Sequence, residues 1–258
     1  MKISTADFPD ETRRYDAALE TIAHHVEEHK PDLLVLPEMP FTPWIFHTDT
    51  FDQIAWDNAV FAHEGWLDRF SKEIPVPLIS SRPTNADGKR LNQAFYLDAG
   101  RALHPLRSKY YLPNDYPAVE VPWFDLGDKP GDVFEIAGHR IGVQLCSEIM
   151  YAETPRILGQ KDISLLVQSR ATGDSPKWRA ASVLAAATSG AFVIGSNRHS
   201  VERDWFTGGS WIYSPDGELL TETTTATPIR TVEIDTSLVT VSHSNYPLTM
   251  FASYGAVD

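Results

Sequence analysis

Two kinds of apolar pattern alternate along the chain. Residues 32–36 read Asp-Leu-Leu-Val-Leu and stop at Pro37. Such a continuous run suits a strand buried on both faces. Residues 141–145, 163–167 and 191–195 repeat the pattern. Between these runs, apolar residues recur at helical spacing. Leu19, Ile22 and Val26 predict a helix over about 11–29, and Ala59, Ala62, Trp66 and Phe70 predict a second. Ser175-Pro176 opens a third that runs to about Ser189, and Thr154-Pro155 marks a further helix start.

Shorter strands fill the rest. Residues 2–6, 77–81, 93–97 and 102–106 read as strands, the last two joined by the turn Asp98-Ala99-Gly100. Residues 133–136 pair with 141–145 around Ala137-Gly138. Residues 209–213 and 219–222 flank Ser214-Pro215-Asp216-Gly217, and 231–234 closes the regular pattern. No pattern is evident from Ser242 onward. Residues 110–131 form a long loop, but Tyr110, Tyr111, Tyr116, Trp123 and Phe124 make it too aromatic for disorder. This alternation predicts an α/β fold with helices covering sheets.

Composition narrows the class. The 258 residues are 42% apolar and 22% charged, which suits a globular chain with a substantial core. No linker or repeat divides them, so a single domain over 1–258 is expected, with a tail from about 240 reaching toward a partner subunit. A net charge of −13 argues against nucleic acid, whose phosphates call for lysines and arginines. The single cysteine permits no intramolecular disulfide and suits a reducing compartment. Asp7 and Asp10 interrupt the amino terminus, so it does not read as a signal peptide. The most apolar stretch, 180–195, is broken by Ser182, Thr188, Ser189 and Gly190 and is too short to span a bilayer. A soluble cytoplasmic protein is expected.

Three polar residues follow apolar strands: Glu38, Lys109 and Cys146. In open α/β sheets, sites gather at the carboxyl ends of strands. A thiol is only slightly ionised at neutral pH and needs a base or a positive neighbour to attack. Glu38 is the candidate base. Lys109 is the candidate to lower the thiol pKa and to hold a developing oxyanion. The three types together suffice for acyl transfer without a metal.

Read as blocks, these residues resemble the nitrilase superfamily of carbon–nitrogen hydrolases, whose set is Glu, Lys and Cys in that order. The blocks are Leu33-Leu34-Val35-Leu36-Pro37-Glu38, Arg107-Ser108-Lys109-Tyr110-Tyr111-Leu112-Pro113-Asn114 and Ile141-Gly142-Val143-Gln144-Leu145-Cys146, separated by 71 and 37 residues. Glu153 and Arg156, Trp178-Arg179-Ala180, Ser196-Asn197-Arg198 and Gly208-Gly209-Ser210 extend the likeness over roughly residues 3–235. Glu120 matches a second family glutamate that orients the lysine. The resemblance implies an α-β-β-α sandwich of two mixed sheets flanked by helices, a homodimer or higher oligomer, and no cofactor. It implies a hydrolase of non-peptide amide C–N bonds, working through a thioester on Cys146. Lys109 and the backbone N–H of Ser147 would hold the oxyanion, and ammonia or an amine would leave.

Other residues are weighed against plainer roles. Trp44, Tyr116, Met150 and Tyr151 fall near these blocks and are candidate walls of a small-molecule pocket, against ordinary packing. Arg170 follows a strand and is a candidate for a substrate carboxylate, or else pairs with Asp174. Glu148 reads as a structural hydrogen-bond acceptor. Ser147 stands where some nitrile-cleaving relatives carry tryptophan, which favours amides over nitriles; a nitrile or N-carbamoyl hydrolase of the same family is the alternative reading. His25 and His29 have metal-ligand spacing but no evident third ligand, so no metal site is expected. Two other classes are an acyltransferase or amidotransferase module, and a non-catalytic redox-sensing or binding protein. The substrate itself is not legible.

Overall fold

The computed structural model describes residues 1–245 and 248–250. In chain order, β1 (Lys2–Ala6) and β2 (Phe8–Pro9) lead into α1 (Tyr15–His29), β3 (Leu33–Val35) and α2 (Gln53–Glu73). A meander follows: β4 (Leu78–Ala86), β5 (Lys89–Leu97) and β6 (Leu103–Ser108). The long aromatic loop carries a small hairpin, β7 (Asn114–Asp115) and β8 (Ala118–Val119). Then come β9 (Phe134–Ile136), β10 (His139–Leu145), α3 (Glu153–Gly159), β11 (Leu165–Arg170), α4 (Pro176–Ser189) and β12 (Phe192–His199). β13 (Trp211–Tyr213), β14 (Leu219–Glu222), β15 (Ile229–Glu233) and α5 (Ser237–His243) complete the order.

The strands form two large mixed sheets. One runs β15-β1-β3-β4-β5-β6, the other β14-β13-β12-β11-β10-β9, with β2 added beside β12. In the first, β1, β3 and β4 are mutually parallel, and in the second β10, β11 and β12 are. Strand alternation explains why their sequences are continuously apolar. Leu33 and Val35 face the second sheet, where they meet Val143, Leu145, Val167 and Ile194. Leu34 and Leu36 face outward onto Tyr15, Leu19, Ile22, Leu67 and Phe70 of α1 and α2. Leu166 and Val193 likewise face Leu158, Ala185 and Ala186 of α3 and α4. Each strand residue is therefore covered on its own face, giving the expected helix–sheet–sheet–helix sandwich.

Local signals set most boundaries. The Asp52 side chain accepts the N–H groups of Ile54 and Ala55 and caps α2. Pro176 sits at the first position of α4, and Gly190 ends it in the left-handed conformation at φ 63°. α1 begins later than its pattern predicts, after a 3-10 turn at Thr12–Arg14. α3 begins at Glu153, so Thr154 is not its cap. Pro155 falls third in the helix, where its missing N–H has no intrahelical partner to lose.

The helix α5 corrects the reading that regular structure ends at 234. It is too short for periodicity to show, and docking forms it. Val239 joins the inter-sheet core beside Ile234, and the His243 ring lies 3.1 Å from the Ser189 carbonyl oxygen. Leu248 is buried near Gly190. The rest of the predicted tail, 246–247 and 251–258, lies outside the described residues. The His25 and His29 rings stack 3.9 Å apart, and His25 Nε2 lies 2.7 Å from Thr231 Oγ1.

His63 on α2 is fully buried beside Phe41 and Phe95. Burial first, and the positive charge of Arg82 second, hold its ring down at about 3. Its folded value lies below its unfolded one, near 6.5. The stability this gives is present above about pH 6.5 and is lost as pH falls toward 3. Urea unfolding between pH 7 and pH 4 is expected to show His63→Phe less acid-sensitive than the parent, by up to about 1.4 kcal/mol per pH unit. Parallel profiles would contradict this.

Candidate active site

The strand directions decide where the candidate residues meet. β6 is antiparallel to β5, which is antiparallel to β4, so β6 runs the same way as β3. Glu38, just past β3, and Lys109, just past β6, therefore leave the first sheet at one edge. Cys146 leaves β10 of the second sheet at the matching edge. Two bonds tie the sheets there: Glu38 N–H donates to Arg170 O at 3.3 Å, and Ser169 Oγ donates to Leu36 O at 2.9 Å.

At the centre is Lys109. Its Nζ donates to Glu38 Oε1 at 2.8 Å and to Glu120 Oε1 at 2.8 Å. All three side chains are sealed from solvent. Glu120 comes from the aromatic loop, which the turn around it holds in place: its N–H reaches Pro113 O, and its carbonyl accepts from Trp123 and Phe124. Glu38, Lys109 and Glu120 are thus in direct contact, and the charges of all three act on Cys146.

The electrostatics follow from burial and pairing. Burial alone would lower Lys109, but Glu120 and Glu38 outweigh it and hold the ammonium well above its ordinary range. Burial pushes Glu120 up to about 8 against the pull of Lys109. Burial and the charge of Glu38 raise Cys146 as well. Lys109 does lower the thiol, as expected of it, but the other two outweigh it. A thiol of this kind stays protonated at neutral pH and needs a base at the moment of attack.

Cys146 stands in a strained turn. Its φ is 46°, a left-handed value that costs a non-glycine residue about 1–3 kcal/mol. The chain passes there from β10 into a 3-10 turn, Cys146–Met150, and Sγ lies 3.6 Å from the Ala171 carbonyl oxygen. Ser147 Oγ donates to Tyr111 O at 2.5 Å, drawing the turn to the lysine loop.

The candidate pocket residues divide. Trp44 is core: it is buried with Cys146, Met39 and Phe206, and its indole donates to Pro117 O at 2.9 Å. Tyr116 is 68% exposed, its hydroxyl accepting from Trp205 at 2.9 Å. Met150 and Tyr151 are exposed at the end of the cysteine turn, and Tyr151 stacks on Tyr111 at 3.5 Å. Arg170 is buried. It donates to Thr172 Oγ1 and to Gly209 O at 2.7 Å and lies 3.5 Å over Trp211. Arg170 and Asp174 both line a cavity of about 480 Å³, which Trp211 and Arg179 also border.

Three residues without a predicted role stand close by. Asn92 donates to Glu38 Oε1 at 2.7 Å, while its carbonyl accepts from Lys109 N–H at 2.8 Å. Arg198 donates to the carbonyls of Glu38, Met39 and Thr42 and pairs with Asp10, pinning the segment after Glu38. Arg198 lay inside a quoted block, but Asn92 had no sequence signal beyond its strand. Gly127 has a steric reason. A Cβ there would meet Ser108 O at 2.2 Å, while its N–H bonds Lys109 O at 2.9 Å. Gly127→Ala is expected to push the loop off the lysine strand, costing about 1–3 kcal/mol. A thermal melt and a turnover assay should both fall, and unchanged values would refute the close approach.

The family model for carbon–nitrogen hydrolases matches residues 5–243. The chain belongs to this family. As a carbon–nitrogen hydrolase it shares its fold with solved relatives at low identity. A carbon–nitrogen hydrolase from Helicobacter pylori G27 superposes with a TM-score of 0.83 at 20% identity, covering 97% of this chain and 94% of its own. A superfamily protein from Xanthomonas campestris, with an arsenic adduct in its active site, gives 0.78 at 15%, covering 100% and 98%. A variant of the amidase from Nesterenkonia sp. AN1 gives 0.75 at 18%, covering 98% and 96%. It carries the acetamide moiety of fluoroacetamide on its active-site cysteine. Among curated proteins, none matches significantly. No helix among the described residues is long and apolar enough to cross a membrane.

Proposed function

We propose that this carbon–nitrogen hydrolase cleaves a small-molecule amide through a thioester on Cys146. The observation that carries the reading is Lys109, bonded at 2.8 Å to both Glu38 and Glu120 at the strand edge where Cys146 turns. Glu38 takes the thiol proton as sulfur attacks the amide carbon. Lys109 and the Ser147 N–H hold the oxyanion. The tetrahedral adduct collapses, the C–N bond breaks, and Glu38 returns its proton to the leaving ammonia or amine. Water then attacks the thioester, giving its proton to Glu38, and releases the acid and the thiol. Glu120 holds Lys109 in line. Half-exposed Met150 and Tyr151 at the end of the cysteine turn border the approach to the thiol.

The amidase whose active-site cysteine carries the acetamide moiety of fluoroacetamide supports a nucleophilic cysteine by analogy. The test is ammonia release across simple amides, nitriles and N-carbamoyl compounds, with acid-quenched mass spectrometry of the chain. Amide turnover with a one-equivalent acyl adduct on the Cys146 peptide is expected. No ammonia from any amide and no adduct would overturn the proposal.

A further inference from the structure

We infer that Arg107 and Glu148 form a positioning brace that sets Cys146 against Lys109. The inference rests on the reaction proposed above for its turnover readout, but not for its geometry. Glu148 lies two residues past Cys146 and is fully buried. Its carboxylate accepts four N–H groups. Oε2 takes the Leu145 N–H at 2.9 Å and Arg107 Nη1, while Oε1 takes the Tyr110 N–H at 2.9 Å and Arg107 Nη2 at 2.9 Å.

The positions of these donors carry the argument. Leu145 immediately precedes Cys146, and Tyr110 immediately follows Lys109. One carboxylate therefore grips the backbone beside both candidate residues, just before Cys146 and just after Lys109. Those residues leave different sheets, β10 in one and β6 in the other. Arg107 closes the clamp from β6, with a further bond from Nη2 to Asp128 O at 3.2 Å. The Glu148 carbonyl in turn accepts from Gln144 at 3.0 Å, so the middle of the cysteine turn is also tied back to β10.

A buried ion pair is a weak source of stability, because desolvation offsets most of the attraction. What this pair supplies is geometry. The left-handed backbone at Cys146 persists only if its surroundings over-determine it. Glu148 does so through the residue just before. Neither oxygen has acceptor capacity left for substrate, so both residues act through the backbone.

The test uses the full-length protein with Glu148→Gln, Arg107→Met and Arg107→Lys. A glutamine has one acceptor oxygen and cannot serve both backbone N–H groups and the guanidinium. Glu148→Gln and Arg107→Met are expected to lower kcat about 100-fold per titratable thiol, as a misplacement near 1 Å does, with KM little changed. Arg107→Lys, which keeps the charge but not the fork, should fall between.

The second readout needs no substrate. Iodoacetamide alkylation of Cys146 is followed against pH. Displacing the thiol relative to Glu38 and Lys109, which act on its pKa in opposite directions, should shift the profile in the variants. Wild-type kcat per thiol together with an unshifted profile, whatever the melting temperature, would overturn the brace. If the parent hydrolyses no amide while the profile still shifts, the brace stands and the proposed reaction falls. Should Glu148→Gln fail to fold, Arg107→Lys in the same two assays decides.

Discussion

Cys146→Ala is expected to abolish amide turnover, by about 10⁶-fold where the nucleophile acts as one unit with its base and oxyanion donor. The structure makes this a clean test. Cys146 is the single cysteine of the chain, so no other thiol can substitute. Its side chain sits among Met39, Trp44 and Phe206, and alanine removes only the sulfur. The fold should therefore survive, with a melting temperature near that of the parent. The acyl adduct should vanish from the quenched chain along with ammonia release. Turnover within about tenfold of the parent would place the chemistry elsewhere.

Lys109→Met is expected to damage both rate and stability. Methionine keeps much of the side-chain length but removes the charge that Glu38 and Glu120 face at 2.8 Å. Removing one partner of a buried ion pair leaves an uncompensated charge and costs roughly 3–5 kcal/mol. Loss of an oxyanion donor costs roughly 10²–10³-fold in kcat. The pH dependence gives a sharper signature. Without the ammonium, the Glu120 carboxyl group, already raised by burial, rises further above its unfolded value. Stability from such groups is present at low pH and is lost as pH rises through the folded value. The deficit of the variant should thus be smaller at pH 5 than at pH 8 in urea unfolding. A pH-independent deficit, or none, would contradict the three-way pairing.

The two effects separate the roles within the site. Cys146 holds no counter-charge in place, so its loss is expected to affect the proposed chemistry and not folding. Lys109 is at once a structural cation and the proposed oxyanion donor. Its raised pKa shows that the pairing wins over the cost of burial. The thiol shows the opposite balance, because burial and Glu38 outweigh the lysine.

Much of this was legible along the chain. The continuous apolar runs of β3 and β11 marked strands covered on both faces, because a residue facing either the other sheet or a helix must be apolar. The placement of Glu38 and Cys146 just beyond such runs, and of Lys109 just beyond a shorter strand, marked the strand ends where the candidates gather. Glu148 was read as a hydrogen-bond acceptor, and it is one. Where patterns were short, they failed. α5 forms by docking on β-sheet core and α4, and a helix of two turns shows too few apolar positions to register.

Sequence order alone determined which residue types stand beyond strand ends, and hence the candidates Glu38, Lys109 and Cys146, while Glu120 came from the family resemblance. It could not determine the sign of the thiol's pKa shift. That depends on desolvation against distance to each charge, and both are properties of the assembled site. Nor could it assign Asn92, Arg198 or Arg107. Their partners lie far away in sequence and meet only when β3, β6 and β10 align their ends. Tertiary structure decided those contacts, because hydrogen bonds act over about 3 Å while the fold brings together donors and acceptors from separate strands, Asn92 within one sheet and Arg107 and Arg198 across the two.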